Sequence, residues 1–82
     1  MINIIQKTTT LQNLPERKKG KIISLEGGHG FQRKLRAMGI REGQAVIVVS
    51  RQPFRGPITI MVGSCQMTLG RGMAQKIIVE VL

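Results

Sequence analysis

The spacing of the branched aliphatic residues limits the fold of this chain more than any other feature. Seventeen of its 82 residues are Val or Ile. Thirteen of them fall in four short runs, GKIISLE from Gly20, QAVIVVS at 44–50, ITIMV at 58–62 and KIIVEVL at 76–82, and a fifth run, CQMTL at 65–69, alternates apolar and polar residues. Side chains branched at Cβ are stiff and suit a pleated surface. Glycine and proline separate the runs, as they do between strands. The pattern predicts a mainly β domain, a small barrel of about five strands with one short helix inserted after the first strand. The first and last strands are expected to pair and close it, which removes exposed sheet edges. A disordered basic tail is excluded, because it would lack this core.

The helix is expected over HGFQRKLRAM, residues 29–38. Phe31, Leu35 and Met38 fall at i, i+4 and i+7 and so share one face. Arg33 and Arg36 point away from that face, and Gly39 stands where a left-handed cap would end the helix. AVIVV lacks polar alternation, which predicts burial on both faces. In CQMTL, Cys65, Met67 and Leu69 are expected inward, with Gln66 and Thr68 outward. Gly63-Ser64 is a two-residue hairpin signal. GRGMAQ suits a single helical turn. Leu11 and Leu14 can pin the polar lead-in to the core. Residues 1–9 read as an N-terminal arm, either frayed or an added edge strand, and residues 10–82 as the domain.

Chemistry leaves few candidates. One Cys permits no internal disulfide and no cysteine-based zinc site within one chain. There is no Asp, and four Glu are scattered, so His29 and Cys65 lack the partners that catalysis or metal binding needs. GGHG at 27–30 could hold an anion at a helix start, but it lacks the Lys and Ser/Thr of a phosphate loop. A tight turn needing positive φ explains it as well. No cofactor is expected. No apolar run reaches the roughly 18–20 residues of a membrane span, and no secretory leader is evident. The expected location is the cytoplasm.

Thirteen Lys and Arg against four Glu give a net charge of +9. Such a charge concerns partners and solubility rather than fold. Nucleic acid is one candidate partner, but only two aromatics, Phe31 and Phe54, are available for base stacking. Phe54 lies between two Arg in RQPFRGP, a position that suits either an interaction anchor or a residue folded back over the barrel.

These residues, in order, resemble the FeoA family of small accessory proteins of ferrous-iron uptake. The resemblance runs from about Thr10 to Val81. It rests on TLQNL, GKIISLEGGHG, RKLRAMGI, REG with AVIVV, PFRGPITI and MTLGRGMAQKIIVEVL. It implies an SH3-like barrel and no catalytic centre. It also implies a cytosolic partner, the FeoB-type membrane iron transporter with its cytoplasmic GTP-binding domain. The chain departs from the pattern at GRG, residues 70–72, where many relatives carry a charged helical turn. The same barrel forms the C-terminal domain of DtxR-like metal-dependent repressors, so a metal-responsive regulatory domain is the alternative, beside a basic barrel for nucleic acid. The contact expected for the transporter is an apolar anchor ringed by arginine: Arg33, Arg36 and Met38 at the helix, Phe54 and Arg55 in the loop.

Overall fold

The computed structural model describes residues 7–82. Six strands form one antiparallel sheet: β1 (Thr8–Thr10), β2 (Lys19–Leu25), β3 (Ala45–Arg51), β4 (Ile58–Val62), β5 (Cys65–Leu69) and β6 (Ile77–Val81). Helix α1 (His29–Ala37) follows β2, and one helical turn, α2 (Arg71–Ala74), precedes β6. A 3-10 turn, Leu11–Asn13, links β1 to the lead-in of β2. The mainly β architecture with one inserted helix therefore holds.

The strand order is β1-β6-β2-β3-β4-β5. The first and last of the five expected strands do pair, as β2 with β6. Two details differ from expectation. A sixth strand, β1, adds to the outer side of β6, so the edge-strand alternative applies to Thr8–Thr10. The remainder of the expected arm, residues 1–6, lies outside the described residues. The sheet is also not closed, and among the described residues its two edges are β1 and β5.

The core is aliphatic. Ile22, Val46, Val48, Ile58, Ile60, Ile77 and Val79 are buried from the strands, Leu35 and Ile40 from the helix and its end. Leu11 and Leu14 are fully buried, as expected of the lead-in. Leu14 lies over Gly20, where a Cβ would come within 3.2 Å of its Cδ2. Phe31 and Met38 pack partly buried against this core, and the Lys76 ammonium stands 4.8 Å from the centre of the Phe31 ring.

Helix α1 ends as its sequence predicts. Gly39 takes φ +94°. The Gly39 N–H donates to the Arg36 carbonyl and the Ile40 N–H to the Leu35 carbonyl, both at 3.0 Å. This is the Schellman pattern, with Leu35 and Ile40 supplying its apolar contact. Leu35→Ala should lower stability by about 2–5 kcal/mol, the range for emptying a fully buried leucine site. Thermal unfolding by circular dichroism measures it.

Two burial expectations are overturned. Cys65 is exposed, although it shares a face with Met67 and Leu69. Burial along β5 fades from Leu69 (buried) through Met67 (half-buried) to Cys65, because β5 is an edge strand with no described neighbour beyond it, whereas Val62, opposite Cys65 on β4, stays buried. β3 alternates: Val46 and Val48 are buried, whereas Ala45, Ile47 and Val49 are exposed. Nothing among the described residues packs over its outer face.

Candidate docking surface

The loop after β3 begins with an arginine that is structural. The guanidinium of Arg51 donates to the carbonyls of Gln12 and Leu14. Its backbone N–H donates to the Glu16 carboxylate at 2.9 Å. Arg51 thus staples the 3-10 lead-in to the end of β3. In the sequence it is only one of the two arginines that flank Phe54 in RQPFRGP. Nothing in its local pattern distinguishes it, since its partners lie 35 to 39 residues away.

Beyond it, Pro53 to Gly56 form a tight turn closed by a hydrogen bond from the Gly56 N–H to the Pro53 carbonyl, 3.2 Å. The two central residues, Phe54 and Arg55, have φ of +59° and +64°. That is the φ signature of a type I′ turn, whose central positions favour Asn and Gly. Two non-glycine residues in this region are strained, and strain of this kind gathers at functional sites. Gly56 is required by space, since a Cβ there would stand 2.6 Å from the Gln52 Cβ.

Phe54 is 98% exposed. It does not fold back over the barrel. Arg55 follows it, lining a cleft of about 280 Å³ with Gln12, Asn13, Arg51, Gln52, Gly56 and Ile58. The tip therefore presents an aromatic ring beside a cationic, amide-lined hollow.

The helix residues lie elsewhere. Arg33 and Arg36 border a separate cleft with His29 and Gln32, which shares no residue with the first. Arg33 is exposed and makes no ion pair among the described residues. Arg36 is already engaged: its Nη2 lies 2.9 and 3.1 Å from the two Glu42 carboxylate oxygens. Met38 is half-buried against the core. The structure thus joins Phe54 to Arg55 and Arg33 to Arg36, but not the two pairs to each other in one cleft.

The Glu42 carboxyl is held below its ordinary value first by its own backbone N–H, with desolvation, the next effect in size, opposing it and the charge and hydrogen bond of Arg36 adding to the lowering. A carboxyl lowered in the folded state stabilises the fold above its unfolded value of about 4.3, and this is lost as pH falls through the folded value. Glu42→Gln should therefore flatten the acid limb of a stability-against-pH curve below about pH 4.3 and leave neutral-pH stability nearly unchanged, since the pair is exposed.

Among the described residues, no three His, Cys, Asp or Glu side chains gather where they could hold a metal ion. GGHG forms a tight turn, with Gly27 at φ +103°. No helix among the described residues is long and apolar enough to cross a membrane.

Comparison with known proteins places the chain. The FeoA domain model matches residues 9–81. An Fe(2+) transport protein A homologue of Methanocaldococcus jannaschii is 36% identical over 59 residues, 72% of this chain and 70% of the relative. The crystal structure of an iron uptake regulatory protein, FeoA, superposes with a TM-score of 0.85 at 32% identity, covering 93% of this chain and all of that one. The zinc complex of Stenotrophomonas maltophilia FeoA, described as an SH3-domain protein, gives a TM-score of 0.75 at 27% identity over 87% of this chain and 88% of that one. The domain match over nearly the whole length, on an SH3-like sheet with its single inserted helix, shows that the chain belongs to the FeoA family.

Proposed function

We propose that this chain is a non-enzymatic, cytoplasmic accessory protein of ferrous-iron uptake that docks on the cytoplasmic domain of a FeoB-type transporter and modulates it. The family supports the place in iron transport. The docking surface is argued from the molecule. The observation that carries it is the strained turn holding Phe54 almost wholly in solvent. A large apolar ring at a loop tip costs solvation and gains nothing for the fold, whereas buried aromatic and arginine anchors dominate protein interfaces. Arg55 beside it can pair with a carboxylate on the partner. Arg33, Arg36 and Met38 form a secondary patch, in which Arg33 carries the available charge.

Retention of the chain on the immobilised transporter domain tests this reading. Phe54→Ala with Arg55→Glu should weaken retention at least tenfold, a loss typical of anchor residues. Arg33→Glu should cost less. Unchanged retention of the double variant would remove the turn from the interface.

A further inference from the structure

The cleft beside the docking turn holds more donors than the fold uses. Gln12 and Asn13 of the 3-10 turn line it together with Arg51, Gln52 and Arg55 of the loop. Both bonds that Arg51 gives the lead-in leave from Nη2. Its Nε and Nη1 have no acceptor among the described residues. Neither is sealed in, since the one buried side-chain nitrogen or oxygen without a partner among the described residues is Arg71 Nε. Arg55 is exposed and makes no ion pair among the described residues. Gln12, Asn13 and Gln52 make their hydrogen bonds there through backbone atoms, so their side-chain amides are uncommitted.

The charge at this cleft is unbalanced. Two guanidinium-bearing residues, Arg51 and Arg55, border it. The carboxylate that the structure joins to them is Glu16, whose Oε2 accepts the Arg51 backbone N–H at 2.9 Å. Among these three groups the balance is one positive charge. A carboxylate cancels it, whereas a phosphate monoester, carrying about −1.5 to −2 at neutral pH, exceeds it. The side-chain amides can both donate to and accept from the main chain on either side of an acidic residue.

We propose that this cleft receives an Asp or Glu side chain from an extended segment of the docking partner, an inference that rests on docking through the Phe54 turn. The carboxylate accepts from Arg55 and from the unused donors of Arg51. The side-chain amides hold the main chain of the segment, and Phe54 meets apolar surface beside it. Arg51 then serves twice, as a staple through Nη2 and as part of the receptor through Nε and Nη1. A second copy of the chain is a poor source of the carboxylate, because two chains of charge +9 repel each other.

Because Arg51 also holds the fold, the test substitution is Gln52→Glu, which sets a carboxylate in the cleft and leaves the staple in place. It should weaken retention on the immobilised transporter domain about tenfold or more without lowering the melting temperature. Gln66→Glu, the same charge change on β5, should leave retention nearly unchanged. Nuclear magnetic resonance of the native chain reads the cleft without the transporter. An acetylated, amidated tripeptide with glutamate at its centre should shift the side-chain signals of Gln12, Asn13, Gln52 and Arg55 at about 10 mM, and its glutamine counterpart should not. Native retention of Gln52→Glu, no shift, or equal shifts from the two tripeptides would overturn the carboxylate site. So would inorganic phosphate acting at a lower concentration than the glutamate tripeptide, which would assign the cleft to phosphate. Shifts from the glutamate tripeptide in a chain that the transporter domain does not retain would uphold the ligand of the cleft and remove the transporter as its source.

Discussion

Replacing Phe54 and Arg55 by Asn and Gly should make the protein more stable and less able to dock. The two residues occupy the left-handed region at consecutive positions. Asn and Gly adopt it at little cost, whereas non-glycine residues there cost of order 1–3 kcal/mol each. Relief of about 1–2 kcal/mol is a conservative expectation, allowing for the smaller side-chain entropy lost in the native turn. It corresponds to a rise of roughly 5–15 °C in melting temperature for a chain of this size. Retention on the transporter domain should fall at least tenfold in the same variant. Opposite movement of stability and binding is the signature of a strained functional feature. A variant that melts no higher and still docks would show that the turn is neither strained nor in the interface.

Arg51→Ala should be among the most destabilising single changes on the surface. The side chain bonds two carbonyls of the lead-in, and both lose their partner together. Hydrogen bonds to charged groups contribute about 1.5–3 kcal/mol each, and neighbouring bonds are not additive. A loss of about 2–3 kcal/mol is expected, or roughly 10–20 °C in melting temperature. Arg51→Lys keeps the charge but not the planar fork, so it should recover only part. Deletion of both bonds with a shift under about 2 °C would show that the staple does not hold the lead-in.

The fold was legible where physics is local. The glycine after Met38, the face shared by Phe31, Leu35 and Met38, and the two-residue turn at Gly63 all follow from residues within a few positions. The misreadings share a cause. Cys65 has the periodicity of a core residue, but it lies on an edge strand, where the core covers it from one side only. AVIVV has the composition of a strand buried on both faces, but this chain brings nothing among its described residues to the second face. Periodicity says which side of a strand a residue takes, not whether that side is covered.

The docking surface divides the same way. The sequence marked Phe54 and Arg55 by their company of proline and glycine. It left open whether the ring was buried, and it could not show two successive residues in the left-handed region. It also treated Arg36 as a free charge, although Glu42, six residues on, is its partner. Arg51 was the opposite case, a surface charge in the sequence and a staple in the fold.

What the sequence determined by itself was a small mainly β domain with one helix after its first full strand, and a strong excess of positive charge. These follow from side-chain branching, turn residues and composition, which act over short spans. The tertiary structure alone decided that β1 adds outside β6, that the sheet stays open, which arginines are engaged, and which aliphatic face meets solvent. Apart from the Arg36–Glu42 pair, each depends on contacts between segments tens of residues apart, where the entropy of bringing the chain together is repaid only by the whole core.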